Sequence, residues 1–349
     1  MHYFYQKKIG VVSHPNEYYR TEKMGRPYAL KRTSFLYIIH GGGNIMIPNR
    51  LNEGDTIGIC ALCNPVIDEN IEELDRALKI MRNKGFKIKI GKNVYSNTLQ
   101  YGATPIEKAS DLNDMFADSE VKAVWNVKGG MNALAVLDYI DFELIKNNPK
   151  IVIGYSDMDS ITNVITNKTD LVTFWGTNFK TVATDQTSFS IDNTLDKLMN
   201  NNTELGDTND YRVLKPGYCE GQIVGCNLSI LKHLTCGKYA INFKNKILCL
   251  EELFMESEPM KVALSLTYMK QNGVFDQING LWIGTYEHES GIKLEKIVHD
   301  VIGDEYDFPI IQSDNFGHIE RKIAIPIGAM ARIDTNDSKK IKLLQDVVV

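Results

Sequence analysis

Between Asp55 and about Lys168, short apolar runs alternate with segments whose apolar residues recur every three or four positions. Asn52-Glu53-Gly54-Asp55 reads as a turn, and Thr56-Ile57-Gly58-Ile59 after it as a strand. From Glu69 to Lys84, Ile71, Leu74, Leu78 and Met81 fall on one helical face, and Gly85 is placed to stop the helix. Phe86 to Ile90 alternates apolar residues with lysines, as a strand does. Thr104-Pro105-Ile106-Glu107 combines an N-cap threonine, a proline at the first helical position and a glutamate three after the cap. That helix is predicted to run to about Ala117. Val121 to Val127 is the next strand, followed by Gly129-Gly130 and a predicted helix through Asp138. Lys150-Ile151-Val152-Ile153 is a β-branched run suited to a buried strand, and Met158 to Asn167 reads as a helix. Such alternation builds a mostly parallel sheet covered by helices, with function at the carboxyl ends of its strands.

The pattern then weakens. Residues 181–218 are rich in Asn, Asp and Thr and read as a connector, with one helix expected near Asn193 to Met199. A second set of elements follows: helices at Cys226–Leu234 and Glu258–Asn272, and strands at Lys246–Leu250 and Gly280–Ile283. Short strands are expected at Pro309–Gln312, Lys322–Ile325, Ala329–Ile333 and Ile341–Leu344. The fold class is therefore α/β: a first domain over 46–180 and a smaller C-terminal α/β or barrel-like domain over 219–349. Residues 1–45 stand apart, more basic than acidic and without a sustained period. They are read as a leader that is not native, with Met46 the expected biological start. Gly41-Gly42-Gly43-Asn44-Ile45 is what a purine-rich ribosome-binding site would encode if translated.

Composition narrows the class. The chain has 349 residues, of which 43% are hydrophobic and 24% charged, as in globular proteins large enough for two domains. A net charge of −5 argues against a nucleic-acid footprint, and no apolar run reaches the roughly 20 residues of a membrane span. The first residues lack the signature of a signal peptide. Six scattered cysteines suit reduced thiols in a cytoplasm. Cys60-Ala-Leu-Cys63 has redox or half-zinc spacing, yet no second pair accompanies it, so the pair reads as structural and no metal is expected.

Three pieces of the sequence carry candidate chemistry. Ser156, in Gly154-Tyr155-Ser156-Asp157, sits at a sharp strand-to-helix junction. There, free backbone N–H groups and the helix dipole favour developing negative charge. A serine hydroxyl is a poor nucleophile alone, so it needs a base and an orienting acid elsewhere. Gly129-Gly130 ends the neighbouring strand and lets a backbone N–H face the site; a plain tight turn is an equal reading. The third piece joins Glu251-Glu252, at the end of an apolar strand, to His318 in the loop Asp314-Asn315-Phe316-Gly317-His318. An acid ending a strand is otherwise often a helix cap, and a loop histidine is usually solvated. Of the other histidines, only His288 is a rival for the base. His40-Gly41-Gly42-Gly43 mimics an esterase oxyanion motif, but Met158 stands where the partner motif Gly-x-Ser-x-Gly needs its last glycine.

Taken together, these segments resemble the LD-carboxypeptidase family of serine peptidases, which includes muropeptide LD-carboxypeptidases and microcin C immunity peptidases. The matching stretches begin with Leu51-x-x-Gly54-Asp55-Thr56-Ile57-Gly58, Ala109-x-Asp111-Leu112-Asn113-x-Met115-Phe116 and Lys128-Gly129-Gly130. The most specific are Ile153-Gly154-Tyr155-Ser156-Asp157, Leu250-Glu251, and Phe316-Gly317-His318 followed by Pro326-x-Gly328. Asn272-Gly273-Val274-Phe275-Asp276 and Ile278-x-Gly280 look like the family's second domain.

The resemblance implies a triad shared between two domains: Ser156 as nucleophile, His318 as general base and Glu251, rather than Glu252, as orienting acid. It implies an oxyanion hole from the N–H groups of Gly130 and Asp157, substrate contacts near Gly129, Trp175 and Asn227, a homodimer, and neither metal nor organic cofactor. Two departures bear on specificity. Gly225-Cys226-Asn227-Leu228 replaces a more usual Gly-Gly-Asn-Leu, and Trp175-Gly176-Thr177-Asn178 replaces a segment with His or Tyr before the glycine and Pro-Met after it. The expected substrate is a small peptide, a cell-wall muropeptide losing a terminal D-residue; the alternative is an aminoacyl-nucleotide amide. A catalytically inactive peptide-binding homologue is the non-enzymatic reading.

Overall fold

The computed structural model describes residues 37–40, 43–206, 210–286 and 288–349. Most of the expected leader, and Gly41-Gly42 of the esterase-like motif, lie outside the described residues. Within that leader, β1 (Tyr37–His40) and β2 (Gly43–Met46) form an antiparallel hairpin.

A first sheet is built from β3 (Thr56–Cys60), β4 (Lys87–Ile90), β5 (Val121–Asn126), β6 (Ile151–Gly154) and β7 (Thr173–Trp175), all parallel. Its connections hold α1 (Glu69–Asn83), α2 (Pro105–Ala117), α3 (Phe142–Asn147) and α4 (Asp159–Thr169). The second part of the chain supplies α5 (Phe189–Asn200), β8 (Tyr211–Lys215), β9 (Tyr218–Asn227), α6 (Leu228–Leu231), β10 (Lys246–Glu251), α7 (Pro259–Gln271) and β11 (Gly280–Ile283). It ends with α8 (Leu294–Ile302), β12 (Ile310–Ser313), β13 (Ile325–Ile327), β14 (Met330–Asp334) and β15 (Ile341–Leu343). The first sheet has the order β13-β7-β6-β5-β3-β4, and the second β15-β14-β9-β10-β11-β12-β8. The molecule is thus mixed α/β, with a mostly parallel first sheet and parallel pairing at the centre of the second.

Ile151, Val152 and Ile153 are wholly buried, as expected of a parallel strand covered on both faces. Each such side chain stabilises the fold by roughly 1.5–3 kcal/mol. The α2 capping box forms as the sequence dictates, with the Thr104 hydroxyl accepting from the Glu107 N–H and the Glu107 carboxylate accepting from the Thr104 N–H.

Several expected boundaries move. The stretch after Gly129-Gly130 becomes a 3₁₀ turn at Ala133–Tyr139 rather than an α-helix. The expected helix at Cys226–Leu234 starts only at Leu228, because β9 continues to Asn227, paired with Leu250 and Glu251 of β10. Asn227 then caps α6, its Oδ1 accepting from the Ile230 N–H. The connector contains all of α5 and an edge strand, β8, paired antiparallel to β12. The strand expected at Lys322–Ile325 begins at Ile325 and joins the first sheet, antiparallel to β7.

The two sheets meet along a polar seam. Asn163 of α4 donates to the Gly225 carbonyl at 3.2 Å and accepts from the Gly225 N–H at 2.9 Å, all within the buried interior. One turn earlier, the Asp159 carboxylate accepts from the Asn227 N–H at 2.8 Å. The helix that follows Ser156 is therefore bonded to the end of β9. Replacing Asn163 with Ala strands both Gly225 groups, and Asn163→Ala is expected to cost about 2–4 kcal/mol in urea unfolding.

Candidate active site

Ser156 directly follows Tyr155 at the end of β6 and opens the 3₁₀ turn that leads into α4. Its φ of 69° is left-handed, a conformation that costs a non-glycine residue roughly 1–2 kcal/mol. Surrounding residues hold the corner. Asn178 accepts from the Tyr155 N–H at 3.4 Å and donates to the Tyr155 carbonyl at 3.5 Å. Asn126, at the end of β5, donates in turn to Asn178 at 3.2 Å. Among the described residues, the Ser156 hydroxyl makes no hydrogen bond, which leaves it open to a substrate.

The adjoining loop is shaped around the serine. A Cβ on Gly129 would stand 3.0 Å from the Ser156 Cβ and 3.2 Å from its Oγ, so only glycine lets the chains approach this closely. Gly130 has a φ of 149°, and a side chain there would run into Asn64. Asn64 accepts from the Met131 N–H at 2.9 Å, and the Asp157 carboxylate accepts from the Ala133 N–H at 2.9 Å. These two bonds fix the loop beside the start of the helix. Burial pushes the Asp157 carboxyl above its ordinary range.

Across the seam, the His318 Nδ1 lies 2.7 Å from the Glu251 Oε2. A carboxylate only accepts, so Nδ1 carries the hydrogen and the Nε2 of the neutral ring keeps its lone pair. Glu251 ends β10 with no solvent exposure, and its Oε1 accepts from the Asn227 side chain at 3.2 Å. The Tyr155 ring stands 5.1 Å from the imidazole, centroid to centroid. Burial pulls the His318 pKa down, but the charge and hydrogen bond of Glu251, with the charge of Glu252, outweigh it. The result is raised above the ordinary value.

Glu252 takes a different role. Its Oε2 accepts from the Ser229 N–H and hydroxyl, and its Oε1 from Asn227 and the Leu253 N–H. All its acceptor sites are filled by the protein, while burial pushes its pKa up to about 7. Asn227 donates to both glutamates and caps α6. Its side-chain atoms are engaged in positioning these groups, and it also lines the cavity beside Ser156.

Trp175 is another expected substrate contact. It is fully buried, edge-on to Tyr155 at 5.4 Å and to Phe316 at 5.8 Å, and offers no face to a ligand. Cys226, the other departure, is held at φ 131°, a backbone that glycine adopts freely. His288 bonds within its own loop, to Ser290. Cys60 and Cys63 are buried, and burial drives both thiol pKa values up, so the pair packs rather than reacts.

Between the elements lies a cavity of about 590 Å³ lined by Gly130, Ser156 and Asp157 on one side and Asn227, Ile230 and Glu252 on the other. Among the described residues, no group of three or more His, Cys, Asp or Glu side chains is arranged to hold a metal ion. None of their helices is long and apolar enough to cross a membrane. Sequence reasoning missed Asn64, Asn126, Asp159 and Asn163, and the role of Asn178 in holding Tyr155. Their only local signal is a lone polar residue at a strand end or on a helix.

Known proteins share this architecture. The family models for the LD-carboxypeptidase N-terminal and C-terminal domains match residues 57–176 and 220–333. A probable murein peptide carboxypeptidase of Bacillus subtilis is 30% identical over 84% of this chain and 93% of its own. The microcin C7 self-immunity protein MccF of Escherichia coli is 24% identical over 84% of this chain and 94% of its own. A structure of MccF in complex with glutamyl sulfamoyl guanosine superposes with a TM-score of 0.79 at 22% identity, over 87% of this chain and 99% of that one. The chain belongs to the LD-carboxypeptidase family of serine peptidases.

Proposed function

We propose that this chain hydrolyses an amide bond with a Ser156–His318–Glu251 triad and releases the terminal D-amino acid of cell-wall muropeptides. The observation that carries the reading is the 2.7 Å bond from His318 to a wholly buried Glu251, on the sheet edge that faces the strained Ser156 corner.

The chemistry follows from that geometry. The His318 Nε2 accepts the Ser156 proton as the hydroxyl attacks the amide carbon, and Glu251 stabilises the imidazolium that forms. The N–H groups of Gly130 and Asp157 take the oxyanion, with Gly129 keeping the space beside the hydroxyl clear. The imidazolium then protonates the leaving amine, and the same base activates water to free the acyl group. The reading takes the enzyme to be a cytoplasmic homodimer.

The muropeptide reading is supported by the 30% identity to the B. subtilis relative. Among the described residues, no Phe, Tyr or Trp side chain lines the cavity and His233 is its one aromatic ring, so a nucleobase finds only a small platform there. The deciding experiment offers a muropeptide tetrapeptide and an aminoacyl-sulfamoyl adenosine together and identifies products by mass spectrometry, with Ser156→Ala as control. Release of D-alanine alone is expected. Release of the aminoacyl group alone would replace this reading with that of an immunity peptidase, and no turnover would leave a peptide-binding homologue.

Ser156→Ala, His318→Ala and Glu251→Ala are each expected to lower kcat by on the order of 10³ or more, measured at saturating tetrapeptide. The base works only when neutral, and its pKa lies above the ordinary 6.5. Accordingly, kcat/KM should fall with decreasing pH through a midpoint above that value. Glu251→Gln removes the charge that raises it, so the residual activity should show its midpoint at lower pH.

A further inference from the structure

Four lysines are buried among the described residues: Lys108, Lys150, Lys197 and Lys322. Three end on carbonyl oxygens. Lys108 donates to Cys63 at 2.5 Å, Lys150 to Met115 at 2.8 Å, and Lys197 to Asn202 and Glu204 at 2.6 and 2.9 Å. Lys322 is different. It is 3% exposed, yet among the described residues its Nζ donates no hydrogen bond and has no carboxylate within 4.0 Å.

Its ammonium instead stands over the Tyr155 ring, 5.1 Å from the centroid, and that same ring stands 5.1 Å from the His318 ring. A cation and the imidazole therefore share one aromatic neighbour. The backbone beneath Lys322 is fixed by α5: its own N–H donates to the Ser190 hydroxyl at 3.1 Å, and the Ala324 N–H to Asn193 at 2.9 Å. Asp185 senses the charge but is occupied, accepting from Thr187, Ser190 and Ile191. Arg321, the neighbouring cation, lies over Phe189 at 4.2 Å.

We infer that Lys322 binds the free terminal carboxylate of the leaving residue and so makes the enzyme an exopeptidase. This assignment rests on the carboxypeptidase reading above. His318 hands its proton to the leaving nitrogen, and in a terminal residue the carboxylate sits on the carbon attached to that nitrogen. Its partner must therefore be a cation near the imidazole but outside the acyl cavity, and Lys322 does not line that cavity. The buried carboxylates of Asp157, Asp159, Glu251 and Glu252 would repel such a terminus, and the cavity's own cation, Lys232, stands on the acyl side. A substrate carboxylate supplies the acceptor that the protein withholds from this ammonium.

The test compares kcat/KM for a muropeptide tetrapeptide and for its C-terminal carboxamide, in the wild type, Lys322→Met and Lys322→Arg. The wild type is expected to prefer the free acid by on the order of 10²-fold, the scale of a buried charge pair. In Lys322→Met the preference should shrink to a few-fold through KM, with the amide little affected, and Lys322→Arg should restore part of it. A wild type that cleaves acid and amide equally overturns the assignment, even if the Met variant fails to fold. A Met variant that keeps the preference overturns it too. Both outcomes leave the carboxypeptidase reading standing. A wild type that turns over aminoacyl-sulfamoyl adenosine but frees no D-alanine from either peptide overturns both.

Discussion

The seam between α4 and β9 is the constraint on which the site depends. Ser156 belongs to the first sheet, and the Glu251–His318 pair to the second, so nothing local sets their spacing. Two side chains of α4 do so instead. Asp159 takes the N–H of Asn227, and Asn163 takes both backbone groups of Gly225. Because the turn that leads into α4 opens at Ser156 and β9 ends at the amide that holds both glutamates, these bonds tie Ser156 to Glu251. Their burial gives them weight, since an unmet backbone group there has no water to turn to.

The electrostatics of the site follow from the same crowding. Asp157, Asp159, Glu251 and Glu252 are all buried, and the last two act directly on His318. Burial raises the pKa of Asp157, Asp159 and Glu252. Backbone and amide donors offset part of that cost by filling carboxylate acceptors one after another. In the proposed mechanism the charges of Glu251 and Glu252 serve the base, because they stabilise the protonated imidazole. They also set the problem of holding a substrate carboxylate nearby, which needs a dedicated cation.

Much of the fold was legible because the relevant signals are local. The β-branched run at Ile151–Ile153 and the capping residues Thr104 and Glu107 each announce their elements within a few positions. The expected Glu251 and His318 are bonded to each other, 67 positions apart. What escaped reading is set by distant partners. β8 is an exposed edge strand with no alternation of apolar residues, so it passed for a connector. Apolar residues after Gly225 suited a helix, but pairing with β10 kept Cys226 and Asn227 in β9. Trp175 was expected near substrate, and only the packing of Tyr155 and Phe316 against it shows how deeply it is buried. Asn163 lies 62 positions from Gly225, a separation no spacing rule anticipates.

The central claim is that Ser156 becomes covalently acylated. The most direct measurement is peptide-mapping mass spectrometry of enzyme quenched during turnover of a muropeptide tetrapeptide. The account predicts a tripeptidyl adduct on the peptide containing Ser156, absent in Ser156→Ala. Product formation with no adduct at Ser156, or with an adduct on another residue, would contradict it.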